Sequence, residues 1–284
     1  MWHRVRGKRV IPMIFSNLST ADDGDGANAY VSQCALQRGY PALIWSAPQW
    51  SAQEFENRIL AGSFVGAKVY LTMADAWLPL REMRIFDYLP HHQLEVLNRR
   101  GWIVMLHIPR DGRLKDPVNL AQMLEIERLY PNVQVIIAHV GRAYCIEDVG
   151  DAFEVLAETR RMRFDFSANT NAQVFEALIR AVGPGRILFG SDMPILRMRM
   201  RRICEHGLYI NLVPRGLYGD VSGDKNMREV EGQEADQLTF FMYEELDAFQ
   251  RAAAATGLSR RDIEDIFYNN AVGMLRAAGF AGDL

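Results

Sequence analysis

Seven apolar runs recur along the chain, their starts about 30 residues apart: RVIPMIF (9–15), PALIWS (41–46), GAKVYLT (66–72), WIVMLHI (102–108), VQVIIAH (133–139), RFDFSA (163–168) and RILFGS (186–191). Most are unbroken rather than alternating, as strands are when both faces of a parallel sheet are buried. Helical patterns lie between them. Asp116 precedes Pro117, an N-cap followed by proline at the first helical position, and Pro131 stops the helix that follows. Residues 147–159 and 171–182 read as further helices, the second closed by Gly183-Pro184-Gly185. Residues 234–256 read as one long helix, and Ser259-x-x-Asp262 opens the last with a capping-box start. Strand and helix in alternation argue for a (β/α) barrel or a doubly wound sheet.

The bulk of the chain fits one such domain. Its 284 residues suffice for a large core, and no linker or composition shift divides them, so residues 1–284 are expected to form a single domain. Residues 197–232 break the rhythm, with turn signals at Pro214, Gly216, Gly219 and Gly223, and are expected to form a long insertion over the active face. A net charge of -3 leaves no basic footprint for nucleic acid, and the apolar runs are far too short to span a membrane, so neither partner is expected. Cys34, Cys145 and Cys204 are odd in number and widely spaced, which points to reduced thiols and a cytoplasmic location.

Polar residues stand at the ends of three runs: His107, His139 and Asp192. The C-terminal ends of barrel strands are where such folds keep their chemistry. By strand alternation His107 shares a face with Met105 and Ile103, His139 with Ile137 and Val135, and Asp192 with Gly190 and Leu188. If those faces line the interior, two imidazoles and a carboxylate converge at the mouth, a donor set that zinc, manganese or iron accepts. Asp192 would then be both ligand and proton acceptor for a metal-bound water. Each residue alone has a plainer reading, since a histidine at a strand end is commonly structural and an aspartate after Gly-Ser is commonly a cap.

Around these residues the chain resembles the amidohydrolase superfamily, in its amidohydrolase-related branch of decarboxylases and lactonases. The resemblance rests on MLHIPRDGR at His107, VIIAHVGR at His139, FDFSAN at 164–169, GRILFGSDMP at 185–194 and YNNAVGML at 268–275. It implies a TIM-type (β/α)8 barrel in which His107 ends the fifth strand as a ligand of one divalent metal, zinc first, with manganese or iron as alternatives. It further implies that His139 ends the sixth strand and acts in catalysis, that Asp192 ends the eighth as ligand and catalytic base, and that Lys68 is a fourth-strand lysine. The activity implied is hydrolysis of a C–N or C–O bond, amide or lactone, through metal-activated water. Alternatives are non-oxidative decarboxylation on the same scaffold, or a metal-free, non-catalytic homologue.

One departure is large. The family's first strand ends in His-x-His, and no such pair occurs among His3, His91, His92, His107, His139 and His206. Seven strands are recognisable, and the missing one is the first. The expected barrel is therefore incomplete, through a missing upstream segment, a partner chain that fills the gap, or a homologue that has lost its metal. Two open sheet edges with unpaired N–H and C=O groups would follow, favouring association into a homo-oligomer.

Cations cluster at the expected mouth. Arg110 follows His107, and Arg142 follows His139, as suits recognition of a carboxylated small-molecule substrate. Tyr70 shares the face of Lys68 and is expected to line the cavity with it. The RMRMRR run at 197–202 reads as a solvated helix start.

Overall fold

The computed structural model describes residues 9–16 and 23–284; His3 lies outside them. Six parallel strands stand side by side in chain order: β1 (Ile44–Trp45), β2 (Gly66–Val69), β3 (Ile103–Leu106), β4 (Gln134–Ile137), β5 (Arg163–Asp165) and β6 (Ile187–Leu188). Residues 9–16 add the remaining run, because Ile14 bridges Ala42 in parallel through Ile14 N–H to the Pro41 carbonyl and Leu43 N–H to the Ile14 carbonyl, both 3.0 Å. All seven apolar runs thus meet in sequence order as an α/β barrel of (β/α)n type. Among the described residues nothing pairs β6 with the Ile14 segment, so the barrel does not close.

The apolar faces explain the order. Ile44, Ala67, Val69, Val104, Leu106, Val135, Ile137 and Phe164 pack outward under the flanking helices, against Phe55, Leu94, Met123 and Leu178 among others. The other face is buried too. Leu43, Val65, Ile103, Ile136 and Leu188 pack with Met274, Leu275 and Ala278 from the end of the last helix, which plugs the interior from the side where the strands begin. At Gly66 a Cβ would come within 1.9 Å of the Ile103 carbonyl oxygen, so only glycine lets β2 lie this close to β3.

The free edge of β6 is not bare as the sequence suggests. The Ile187 carbonyl accepts from the Asn270 side chain at 2.9 Å, and the Phe189 N–H donates to the Ile266 carbonyl at 3.0 Å. Ile266 sits in a π turn, Asp265–Asn269, a distortion that helices adopt at special contacts. A helical segment thereby satisfies backbone groups that a neighbouring strand would otherwise take up.

Helix ends follow the sequence where caps are strong. The Asp116 carboxylate accepts from Val118 N–H at 2.9 Å and Asn119 N–H at 3.2 Å, opening the helix Pro117–Leu129. Ser259 and Asp262 form the capping box. The expected helix over 147–159 is broken at Gly150, whose φ is +54°, into a 3-10 turn and the short helix Ala152–Leu156. The expected helix over 234–256 is two, Gly232–Gln237 and Phe241–Thr256, interrupted where Met200 N–H donates to the Thr239 carbonyl.

Residues 197–232 are more ordered than their turn-rich sequence suggests. They hold a second sheet of β7 (Arg201–Glu205), β8 (Leu208–Pro214) and β9 (Met227–Val230), with β7 and β8 antiparallel and β8 and β9 parallel. The β7–β8 turn is His206-Gly207, both with positive φ, as tight hairpins need. The expected solvated helix start at 197–202 is therefore wrong at Arg201 and Arg202, which open β7. Cys204 on β7 is joined to Cys145, in the loop after β4, by a disulfide, against the expectation of reduced thiols. No helix among the described residues is long and apolar enough to cross a membrane.

Candidate active site

Beyond β3 the chain continues extended, and His107 lies on the interior face of Met105. Its carbonyl accepts from the Tyr88 hydroxyl at 2.7 Å. Nδ1 of the ring is sealed from solvent and has no partner among the described residues. Burial, followed by the neighbouring His139, Lys68 and Arg142, holds the ring well below the usual histidine range, so His107 is neutral.

His139 arrives by a different route from the one alternation predicts. Val135 and Ile137 face the outer helices, so a continued strand would turn His139 away from His107. Instead the backbone enters a left-handed turn in which His139, Val140, Gly141 and Arg142 have φ of 56°, 51°, 60° and 60°. Left-handed residues other than glycine cost about 1–2 kcal/mol each, and such strain gathers at functional sites. The turn brings the His139 ring to 5.4 Å from that of His107, with the planes at 71°. The premise that all three residues share one strand phase is wrong, but the two imidazoles do meet.

Two anchors hold the turn. Asp165 Oδ1 accepts the His139 N–H at 3.0 Å. Arg142 Nη1 donates to the carbonyls of Pro109, Ile108 and Arg110 at 2.7, 3.3 and 3.4 Å, which ties the loop after His107 to the loop after His139. Arg110 turns aside: its Nε lies 3.0 Å from Asp116, the cap of the next helix. Among the residues expected to bind substrate, Arg110 is thus spent on structure, and Arg142 has one nitrogen so engaged.

Lys68 is buried in the interior, its Nζ over the rings of Tyr70 at 5.3 Å and Phe15 at 5.7 Å. Burial lowers its pKa to about 8, with Asp165 and Asp192 opposing the shift. The Tyr70 hydroxyl donates to the Ser16 carbonyl, and burial, then Asp192, raises its pKa. Asp192 follows β6 with a φ of 39° and is half-buried. Its charge reaches Lys68, Tyr70, Tyr144, Arg202 and Glu245. The histidines at 91 and 92 begin the helix His91–Arg100, where they bond Tyr130 and the Trp50 carbonyl, away from this site.

A metal does not fit this donor set. Among the described residues no group of three or more His, Cys, Asp or Glu side chains is placed to hold one, whereas a catalytic zinc site ordinarily has three protein ligands. His107 and Asp192 alone fall short.

Several site residues escape the sequence reading. Arg202 on β7 lies over Tyr144, Tyr209 and Phe241 at 4.4, 4.7 and 4.9 Å, and donates to the Ala168 carbonyl. It brings a cation to the loops that follow β4 and β5. The His206-Gly207 hairpin turn is the signal that would have revealed its strand. Glu245, on Phe241–Thr256, is wholly buried; burial, then Asp165 and Asp192, pushes its carboxyl well above the usual range. Asp165 and Ser167 alternate with the outward Phe164 and Phe166, a period-two pattern visible in RFDFSA.

Known proteins share this architecture. A solved 2,6-dihydroxybenzoate decarboxylase from Rhizobium is 15% identical, with a TM-score of 0.54 over 94% of this chain and 84% of its own. A probable 2-pyrone-4,6-dicarboxylic acid hydrolase from Acinetobacter baumannii, with citric acid bound, is 16% identical, with a TM-score of 0.53 over 92% of this chain and 82% of its own. A dihydroxybenzoic acid decarboxylase from Polaromonas sp. JS666, with bound manganese and the inhibitor 2-nitroresorcinol, is 15% identical, with a TM-score of 0.50 over 89% and 74%. At these identities the likeness is one of fold. No curated protein matches the sequence. The amidohydrolase family model, however, matches residues 12–210, from the Ile14 run through the whole parallel sheet and into β8. With strand order, strand-end histidines and family model in agreement, the chain belongs to the amidohydrolase family.

Proposed function

We propose that this chain is a hydrolase that opens a C–N or C–O bond, amide or lactone, of a small carboxylated substrate at the mouth between His107 and His139. The observation that carries the reading is the pair of imidazoles, 5.4 Å apart, at the ends of adjacent parallel strands. Strand-end polar residues on this face of a barrel are where catalysis is built.

The roles follow from charge and hydrogen bonding. His139 has its Nδ1 engaged by Ser167 and its Nε2 without a partner among the described residues. Nε2 is the base that takes a proton from the attacking water. Asp192, whose charge reaches the site, stabilises the imidazolium that results and the cations around it. Lys68, Arg142 and Arg202 supply the positive field for a substrate carboxylate. Zinc, manganese or iron at His107 and Asp192 would need a further ligand that the described residues do not supply, and the roles above stand on the chain's own groups.

A second reading has one observation in its favour. The burial that lowers Lys68 and His107 would also strip water from a bound carboxylate, which favours its loss as CO2. The test is to incubate the protein with 2-pyrone-4,6-dicarboxylate, 2,6-dihydroxybenzoate and a panel of carboxylated lactones and amides, and to read products by mass spectrometry. Gain of one water is expected. Loss of CO2 without that gain assigns decarboxylation, and no turnover across the panel rejects both.

A further inference from the structure

Ser167 has one hydroxyl proton and two polar neighbours. Its Oγ lies within hydrogen-bonding distance of Asp165 Oδ1 and 2.9 Å from His139 Nδ1. Asp165 Oδ1 already accepts the N–H groups of His139 and Ser167, at 3.0 and 3.1 Å, so it is an acceptor and the hydroxyl proton must point to it. Oγ is then left with only lone pairs toward His139. The Ser167 carbonyl, 3.1 Å from the same Nδ1, is also a pure acceptor. Two acceptors on one ring nitrogen require that nitrogen to carry the proton.

We propose that Ser167, oriented by Asp165, is a positioning residue that fixes His139 in the tautomer with Nδ1 protonated and Nε2 bare. One oxygen, Asp165 Oδ1, acts twice: it holds the backbone of His139 in its left-handed conformation, and through Ser167 it sets the ring. The fold makes room for this. Ser167 is 3% exposed, and a Cβ at position 190 would lie 3.0 Å from its own Cβ, so Gly190 beyond β6 leaves space for it. Asp165 and Ser167 are both buried and act through His139. Such partners typically change activity by roughly 10- to 100-fold when removed from an imidazole they orient.

The proposal rests on His139 being the working imidazole of the mouth, and its test reads the ring separately from turnover. Long-range 1H–15N spectra of the labelled protein report each imidazole's tautomer, with His139 assigned by its loss in His139→Gln. The wild type should show a single neutral form protonated on Nδ1. Ser167→Ala, left with only the carbonyl acceptor, should give a mixture of tautomers and about tenfold lower kcat/KM with KM little changed. Ser167→Thr, which keeps the hydroxyl, should restore both. A wild-type ring protonated on Nε2 overturns the proposal, as does a Ser167→Ala ring still wholly protonated on Nδ1. If the spectra behave as expected but no substrate in the panel turns over, the tautomer assignment stands and the hydrolase reading falls.

Discussion

Asn270 closes an edge that belongs to a strand: its side-chain amide donates to the Ile187 carbonyl at 2.9 Å and to the Pro184 carbonyl at 2.8 Å. The last helix therefore does two things. Its C-terminal turns fill the barrel interior, and its middle, at Ile266 and Asn270, satisfies the backbone at β6.

Replacing Asn270 by alanine leaves the buried Ile187 carbonyl without its donor, while the Pro184 carbonyl keeps the Ile187 N–H. A buried acceptor without a partner costs about 1–3 kcal/mol, so Asn270→Ala should lose that amount in urea unfolding. Asn269→Ala, which removes only an exposed contact to Asp265, should lose less than about 1 kcal/mol. Equal losses in the two variants would show that the edge is not held in this way.

The Cys145–Cys204 disulfide spans a sequence separation of 59 and ties β7 to the loop after the His139 turn. Closing a loop of that length stabilises by about 2–4 kcal/mol. Without reductant, alkylation of the unfolded protein should label Cys34 alone, and Cys204→Ser should lower stability by that amount. Labelling of all three cysteines would contradict the bond.

Lys68 makes stability depend on pH in a defined window. Its native pKa of about 8 lies below the ordinary 10.5, so between these values the unfolded chain binds more protons and stability rises with pH. The gap corresponds to about 3 kcal/mol. Lys68→Met should be the more stable protein at pH 7 by up to that amount, and its advantage should fade by pH 10.5. Parallel denaturant curves for the two proteins would not converge if the amine were not buried.

Metal content is a fourth expectation. With no three-ligand group among the described residues, protein dialysed against zinc or manganese and then against buffer should retain well below one equivalent by elemental analysis. One tightly held equivalent would show that ligands beyond the described residues complete the site.

Most of the architecture is legible from the apolar runs because burial on both faces leaves an unbroken pattern, and all seven take their places in order. Caps at Asp116 and Ser259 are equally plain, since their side chains act locally. What was hidden is what depends on distant partners. His139 reaches the mouth through a left-handed turn held by Asp165, 26 residues on, and no periodicity encodes it. Arg202 looks like a solvated cation until Tyr144, Tyr209 and Phe241 from three elements surround it. The Cys145–Cys204 pairing depends on β7 folding back, which the turn-rich run around it conceals.

The central claim is that His139 works as a base at the mouth beside His107. It is tested most directly by comparing kcat/KM of the wild type and His139→Gln on whichever carboxylated lactone or amide the panel identifies, with folding checked by circular dichroism. Loss of a positioned base lowers rate by about 10²–10⁴-fold, and a loss in that range at unchanged fold is predicted. A His139→Gln protein that keeps its fold and its rate would contradict the account.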